Sequence, residues 1–185
     1  MAEIRPIEWS EGSLKLLDQT KLPLQRVVVD VSSWRQAADA IKTMQVRGAP
    51  AIGVTAGYAV VLAAIESNST DKSSLMDYLV QASLEIKASR PTAVNLAWAV
   101  DRMLQIAERI DNPKDAEFLL LNEAKRIQEE DEAINRRMGI IGSDLIPEGG
   151  SVLTHCNTGA LATSAFGTAL GVIRASWESG RRFKV

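Results

Sequence analysis

The stretch that decides the fold is residues 47–65, which read Arg47-Gly48-Ala49-Pro50-Ala51-Ile52-Gly53-Val54-Thr55-Ala56-Gly57-Tyr58-Ala59-Val60-Val61-Leu62-Ala63-Ala64-Ile65. No charged side chain follows the opening arginine, and the length is at the short edge of the roughly 17–25 residues that a membrane span needs. Pro50 suits the first turn of a helix, where its missing N–H would have no partner anyway. Because the stretch is rich in Ala and Gly and contains Thr55 and Tyr58, it predicts a helix to about Glu66, buried in the core of a soluble protein.

Short apolar segments on the N-terminal side of this helix predict a small sheet. Apolar and polar residues alternate from Trp9 to Leu17 before Pro23 breaks the pattern, and residues 27–31 form a β-branched run. This pattern is typical of a hairpin or meander. Ser32-Ser33 then offers an N-cap for a helix over residues 34–45.

The C-terminal side of the helix is dominated by apolar residues three or four positions apart. This spacing predicts helices over residues 75–88, 92–110 and 114–145. The acidic run at 129–132 is expected to be a solvated face of the last helix. Pro147-Glu148-Gly149-Gly150 is a turn signal and marks a boundary. We therefore predict that residues 1–146 form a helix-rich domain with a small antiparallel sheet.

Residues 147–185 have a different pattern and make the chain α/β overall. Residues 151–156 read as a short strand, 157–159 as a tight loop, and 160–179 as a helix. Residues 182–185 resemble the start of another strand. We predict that this strand–loop–helix unit begins an incomplete second domain.

Composition excludes several classes of function. The net charge of −2 and the pI near 5.5 provide no basic field for nucleic acid or an anionic membrane. A single cysteine cannot form an internal disulfide, and the start Met1-Ala2-Glu3-Ile4-Arg5-Pro6 lacks the layout of a secretory signal, so we expect a cytoplasmic protein. One His and one Cys make a protein-only zinc site implausible, and no phosphate-binding or dinucleotide glycine motif is present, so no metal and no cofactor are expected.

Cys156 is a candidate catalytic residue because of its position. It ends the predicted strand, at the edge of a sheet where ligands commonly bind. A helix beginning beside it would favour the thiolate, which can accept a proton or act as a nucleophile. Composition alone favours the alternative that a lone cysteine is a small buried apolar residue. The adjacent His155 would point to the opposite face of a strand, and we interpret it as a structural or hydrogen-bonding residue.

Two helix entrances are candidate anion sites. At Arg47-Gly48-Ala49-Pro50 a glycine exposes backbone N–H groups at a helix start, and Arg47 adds a positive charge. Ser89-Arg90-Pro91-Thr92 repeats the arrangement, with Thr92 as the expected cap of the next helix. The two entrances could converge on one anion. Alternatively, Gly48 only turns the chain and Arg47 lies in solvent.

Five segments of the chain carry a resemblance to a known family. They are Ser13-Leu14-Lys15-Leu16-Leu17-Asp18-Gln19-Thr20-Lys21-Leu22-Pro23, Val46-Arg47-Gly48-Ala49-Pro50-Ala51-Ile52-Gly53, Ser89-Arg90-Pro91-Thr92-Ala93-Val94-Asn95-Leu96, Thr154-His155-Cys156-Asn157-Thr158-Gly159 and Phe166-Gly167-Thr168-Ala169-Leu170. In order and spacing they resemble the methylthioribose-1-phosphate isomerases, a branch of the initiation factor 2B superfamily. The resemblance spans nearly the whole chain.

The resemblance implies a fold, an activity and site residues. It implies a helical N-terminal domain followed by a Rossmann-like domain, in a cytoplasmic homodimer that interconverts 5-methylthioribose 1-phosphate and 5-methylthioribulose 1-phosphate in methionine salvage. By motif, Cys156 matches the catalytic cysteine, and Arg47, Gly48, Ala49 and Arg90 match phosphate-binding positions. The family's second catalytic residue, an aspartate on a later strand, would lie after Val185, so we expect these 185 residues alone to be inactive.

Two alternatives to this function remain open at the level of sequence. The substrate could be another pentose 1-phosphate, such as ribose 1,5-bisphosphate or 5-deoxyribose 1-phosphate. The chain could also be a non-catalytic regulatory subunit related to initiation factor 2B, although such a subunit needs no thiol at Cys156. The sequence also leaves open whether the hydrogen that moves from C2 to C1 of the sugar is transferred as a proton or as a hydride.

Overall fold

The computed structural model describes residues 4–185. Met1, Ala2 and Glu3 lie outside the described residues. They are the first residues of the predicted first domain and of the segment that lacks the layout of a secretory signal. The described chain is a helix-rich α/β structure with one small antiparallel sheet, which confirms the predicted class at that level.

The sheet is a three-stranded meander near the start of the chain. Its strands are β1 (Ile7–Ser10), β2 (Ser13–Leu17) and β3 (Val28–Val31), in the order β1-β2-β3 with both pairs antiparallel. Leu14 and Leu16 of the central strand are fully buried, whereas Lys15 between them is partly exposed, as the period of two requires. The buried face of the sheet therefore packs on the helices.

Six α-helices follow the sheet within the described residues: α1 (Trp34–Lys42), α2 (Ala49–Ser67), α3 (Lys72–Ser89), α4 (Val94–Ala107), α5 (Ala116–Ser143) and α6 (Ala169–Glu178). Single 3-10 turns lie at Pro113–Asp115 and Ala160–Ala162. Ser33 caps α1 in a capping box with Gln36, and Asp71 caps α3 by accepting from the Ser74 N–H. The helices before residue 146 match the predicted ones to within a few residues.

Helix α2 is the centre of the core. Every residue from Ala51 to Ala64 is buried, because α1, α3, α4 and α5 all pack around it. Its length and hydropathy would suffice for a membrane span, but 78% of its most apolar window is buried inside the protein. A helix that is apolar on all sides and surrounded by other helices is a core helix.

Two predictions for the region after residue 150 are wrong. Residues 151–156 do not form a regular strand, because the described chain offers only an isolated parallel bridge between Ser151 and Lys184. The predicted helix over 160–179 is interrupted, since Phe166 and Gly167 have positive φ values of 69° and 98°. A 3-10 turn therefore replaces the first part of the helix, and α6 begins only at Ala169.

The predicted cap of α4 is also wrong. Its N-cap is Ala93 rather than Thr92, and no side chain caps it. The Ala93 N–H donates to the Arg90 carbonyl at 2.9 Å, which closes a turn over Pro91 and Thr92 and delays the helix.

Helix α5 links the main core to the last part of the chain. The main hydrophobic cluster ends at Ile127, while a second buried set lies outside it: Ile146, Ala162, Ala165, Phe166 and Ile173. Gly139 and Gly142 let Phe166 and the first turn of α6 approach α5, since an added Cβ would lie 2.6 Å from Phe166 and 2.8 Å from Val172. The domain boundary at residues 146–147 stays a prediction.

Candidate functional site

One cavity brings together residues from opposite ends of the chain. Its volume is about 720 Å³, and it opens between the start of α2 and the loop after residue 154. The lining residues come from three segments: Gln19 after β2; Arg47, Gly48, Ala49 and Pro50 at the start of α2; and Cys156, Asn157, Thr158, Leu161, Ala162, Thr163 and Thr168 from the last part of the chain. Four of the five predicted site residues line this cavity.

The start of α2 presents backbone N–H groups to the cavity. Gly48 is the N-cap, with φ at 102°, and no side chain caps the helix. The Ile52 N–H donates to the Gly48 carbonyl at 2.9 Å, so the N–H groups of Ala49 and Ala51 have no partner within the helix, and Pro50 between them has no N–H. Their partial positive charge and the guanidinium of Arg47, an exposed residue, together suit an anion.

Gly48 is required by both its conformation and its neighbours. Its φ lies in the region that side chains rarely adopt. An added Cβ would lie 2.5 Å from the Cβ and from the carbonyl oxygen of Ala162. The 3-10 turn Ala160–Ala162 thus rests directly on the N-cap of α2, which places the last part of the chain against the cavity.

Cys156 lies in a constrained loop on the other side of the cavity. Its φ is 68°, an uncommon value for a residue with a side chain, and it is exposed. The hydroxyl groups of Thr154 and Thr158 lie 3.1 Å apart and close the loop around it. Positive φ values in non-glycine residues recur at functional sites, where the surrounding structure holds them.

The loop is anchored by the start of α6. The Thr158 carbonyl accepts from the N–H groups of Thr168 at 2.9 Å and Leu170 at 3.3 Å. The α-helix predicted to begin at residue 160 begins instead at Ala169, and two N–H groups at its start hold the loop. The expected effect of a helix start on the Cys156 thiolate stays a prediction. Two α-helix starts line the cavity with Cys156: that of α2, and that of α6 through its N-cap Thr168. His155 is exposed and does not line the cavity.

Gln19 is a cavity residue that sequence reasoning missed. It is 1% exposed, and its side-chain Nε2 donates to the Leu161 carbonyl at 2.7 Å. Its main-chain carbonyl accepts from the Arg47 guanidinium at 3.2 Å. The one available signal was a polar pair, Asp18-Gln19, directly after the apolar strand β2. Such a pair is also typical of an ordinary turn, so it did not indicate a site.

Arg90 does not line the cavity. It is the C-cap of α3, half-buried, and within residues 4–185 it makes no side-chain hydrogen bond or ion pair. The helix that follows it begins close to α2, since a Cβ on Gly53 would lie 2.9 Å from the Asn95 carbonyl. The predicted sharing of one anion by Arg47 and Arg90 stays a prediction.

Charged side chains of α5 form hydrogen bonds both to α4 and to the last part of the chain. Arg102 donates to Glu123 at 2.5 Å and to Glu130 at 2.5 Å, and this hydrogen bond lowers the pKa of Glu130. Asp131 accepts from both the N–H and the hydroxyl of Ser164, at 2.8 and 2.7 Å. The second pair fixes the chain just after the cavity wall. Within the described residues, no three His, Cys, Asp or Glu side chains cluster as a metal site would require.

Relatives share the sequence but are about twice as long. Methylthioribose-1-phosphate isomerases of Desulforudis audaxviator and Pelotomaculum thermopropionicum are 49% and 48% identical over 183 residues. The matches cover 98% and 97% of this chain but 52% and 50% of theirs. The chain thus spans about half the length of the curated relatives it matches.

Solved structures share the fold. A Pyrococcus horikoshii structure described as 5-methylthioribose 1-phosphate isomerase has a TM-score of 0.89 at 39% identity, over 96% of this chain and 50% of that one. A structure from A. fulgidus, described as translation initiation factor eIF-2B subunit delta, has a TM-score of 0.87 at 42% identity, over 97% of this chain and 53% of that one. These matches confirm the resemblance that the motifs indicated. The model of the initiation factor 2 subunit family matches residues 45–185, and the chain belongs to that family.

Proposed function

We propose that this chain is the phosphate-binding and cysteine-bearing part of an aldose–ketose isomerase for 5-methylthioribose 1-phosphate. One observation carries the proposal: the cavity places Arg47, Gly48 and Ala49 at a helix start and Cys156 in a strained loop around the same space. The relatives named methylthioribose-1-phosphate isomerase support the choice of reaction. The whole protein's activity requires the part of those relatives that this chain does not span.

The start of α2 would bind the phosphate of the substrate. The uncapped N–H groups of Ala49 and Ala51 donate to phosphate oxygens, and the Arg47 guanidinium adds a charge-assisted hydrogen bond. Arg90, whose guanidinium has no partner among the described residues, would supply a second positive charge. Such contacts fix the sugar so that its C1 and C2 face the cysteine loop.

Cys156 would act on the sugar as an acid or a base. With phosphate on C1, the ring cannot open to a free aldehyde, so its opening needs a proton delivered to the ring oxygen while the phosphate stays on C1, and the C2 hydroxyl gives up its proton as the ketone forms. A hydrogen then moves from C2 to C1, as a proton between two protein groups or as a hydride. Cys156 is one member of such a pair, and the aspartate that the family resemblance implies after Val185 is the other.

The last part of the chain would begin a Rossmann-like domain. Ser151 and Lys184 form a parallel bridge, with the Val152 N–H donating to the Lys184 carbonyl at 2.8 Å. Helix α6 connects these two segments, which is the arrangement of a βαβ unit. We propose that the parallel sheet is completed by further strands of the whole protein.

The whole protein would be a cytoplasmic homodimer that binds neither nucleic acid nor a membrane. Exposed apolar side chains follow one stripe of α5, at Ile134, Met138 and Ile141, and continue at Leu145 just after the helix ends, and they support an interface on that face. Sedimentation of the whole protein at two concentrations would test the dimer. A monomer at both concentrations would contradict it.

A second candidate is a non-catalytic regulatory subunit. It is favoured by the A. fulgidus structure described as an initiation factor subunit, which resembles this chain as closely as the isomerase structure does. The two candidates differ in their need for a reactive thiol at Cys156.

The decisive experiment uses a chimera. Residues 1–185 replace the matching half of the D. audaxviator relative, and turnover is measured with 5-methylthioribose 1-phosphate, ribose 1,5-bisphosphate and 5-deoxyribose 1-phosphate. We expect turnover of the first, a loss of about 10²–10⁴-fold in Cys156→Ser, and little change in the neighbouring control His155→Gln. A folded chimera that is inactive on all three, beside an active parent, would favour the regulatory subunit.

A further inference from the structure

Gln19 connects the three segments that line the cavity. Its side chain is 1% exposed, and its Nε2 donates to the Leu161 carbonyl at 2.7 Å. Its main-chain carbonyl accepts from the Arg47 guanidinium at 3.2 Å, and its N–H donates to the Gln45 carbonyl at 2.9 Å. One residue thus contacts its own loop after β2, the segment before α2, and the 3-10 turn after the cysteine loop.

The carboxamide of Gln19 contributes less to stability than its hydrogen bond suggests. Its Oε1 is buried and accepts no hydrogen bond. Reversing the amide would place Oε1 against the Leu161 carbonyl, so the present orientation is the favourable one. Buried polar atoms are nearly always paired, and an unpaired amide oxygen offsets much of what the Nε2 bond gains. An apolar side chain of similar size would fill the space without this cost, so stability alone does not explain a glutamine here.

The hydrogen bond from Gln19 to Leu161 holds the 3-10 turn Ala160–Ala162, which forms a wall of the cavity next to both the start of α2 and the cysteine loop. Leu161 precedes Ala162, which rests on Gly48 so closely that no Cβ fits between them. The same turn follows Thr158 and Gly159, which continue the loop of Cys156. The position of this wall therefore sets the distance between the anion-binding end of the cavity and the cysteine loop.

We propose that Gln19 is a positioning residue of the site. Its carboxamide holds the Ala160–Ala162 wall against the start of α2 and, by anchoring the residue, fixes the main-chain carbonyl that orients the Arg47 guanidinium. The inference rests on the proposed function, because it assumes that Arg47 binds the phosphate group of the substrate. Gln19 itself touches the protein rather than the reacting atoms. Its effect on ligand binding is therefore transmitted through Arg47.

The test measures phosphate binding and the order of one side chain in the 185-residue chain. Inorganic phosphate is titrated while NMR follows the Nε–Hε signal of Arg47, and ¹⁵N relaxation of that group is measured without ligand. The variants are Gln19→Met, Arg47→Ala and the double variant. Ser83→Ala is the matched control, because Ser83 also carries a buried oxygen without a partner but does not line the cavity.

The expected result separates positioning from stability. Gln19→Met should keep a melting temperature close to that of the wild type, weaken phosphate binding by about three- to tenfold, and increase the mobility of the Arg47 Nε–Hε group. Ser83→Ala should change neither binding nor mobility. In the Arg47→Ala background, Gln19→Met should have no further effect on binding, because coupled residues are not additive.

Two results would overturn the proposal. One is phosphate affinity within about twofold of wild type together with unchanged Arg47 mobility in a folded Gln19→Met. The other is an equal loss of affinity in the presence and absence of Arg47. If Gln19→Met does not fold, Gln19→Asn, which keeps the amide but withdraws it from Leu161, is measured against the same criteria. A wild-type chain that binds no phosphate would count against the proposed function, while the ligand-free mobility of Arg47 would still decide the role of Gln19.

Discussion

Replacing Gly48 by alanine should disturb the site more than any other single methyl group added to the chain. The substitution adds a Cβ at φ 102°, and that atom would lie 2.5 Å from the Cβ and the carbonyl oxygen of Ala162. The obstacle is partly backbone, so no side-chain rotation relieves it. The turn carrying Ala162 must move away from α2, and the hydrogen bond from Gln19 to Leu161 must lengthen or break.

The expected cost has a conformational part and a steric part. Backbone in a region essentially confined to glycine costs about 1–3 kcal/mol for other residues. Forcing an extra methyl group into a packed contact costs typically about 1–3 kcal/mol. We expect Gly48→Ala to lower the free energy of unfolding by about 4 kcal/mol in total. That is a large share of the roughly 5–15 kcal/mol by which domains are stable.

Gly180 supplies a matched control for the conformational part. Its φ is 98°, close to that of Gly48, but an added Cβ would meet nothing within 4 Å. Urea unfolding followed by circular dichroism should show a loss for Gly180→Ala that is about 1–3 kcal/mol smaller than the loss for Gly48→Ala. Phosphate binding should weaken only in Gly48→Ala. Equal losses in the two variants would refute the contact between Gly48 and Ala162.

Three further predictions follow from side-chain contacts. Arg90→Ala should weaken binding of the phosphorylated substrate by about 1.5–3 kcal/mol in calorimetry of the whole protein, and unchanged affinity would remove Arg90 from the phosphate site. Asp131→Asn should cost about 1–3 kcal/mol in urea unfolding, because a neutral amide oxygen accepts the two hydrogen bonds from Ser164 more weakly than a carboxylate, and the new NH2 group would face the Asn135 Nδ2 donor. A cost below the error of the measurement would contradict it. The hydrogen bond from Arg102 lowers the pKa of Glu130, so its stabilisation should be complete above the ordinary glutamate pKa of about 4.3 and fall as the pH drops through the lower folded value. Glu130 is 40% exposed, so solvent limits the effect to less than about 1 kcal/mol, and Glu130→Gln should flatten the acid limb of stability against pH.

The sequence was a good guide where one element's own pattern decides its structure. Helix α2 could be predicted from its apolar run and from Pro50, and the cap of α1 from Ser33, because periodicity and capping act over a few residues. It was a poor guide after residue 150. There Phe166 and Gly167 adopt positive φ values. Phe166 packs on Gly139 of α5, and Gly167 packs on Thr158 across a loop, so neither conformation is decided by adjacent residues.

For the candidate site too, some features follow from the sequence and others only from the tertiary structure. The sequence by itself determined the residue types, since a glycine and an arginine at a helix start suit an anion and a cysteine in its motif suits proton transfer. Only the tertiary structure decided that Arg47 and Cys156 face one cavity, that Gln19 belongs to it, and that Arg90 does not line it. The physical reason is range: local propensity depends on a few neighbouring residues, whereas the cavity exists because the turn at Ala162 packs on Gly48, more than a hundred positions earlier in the chain.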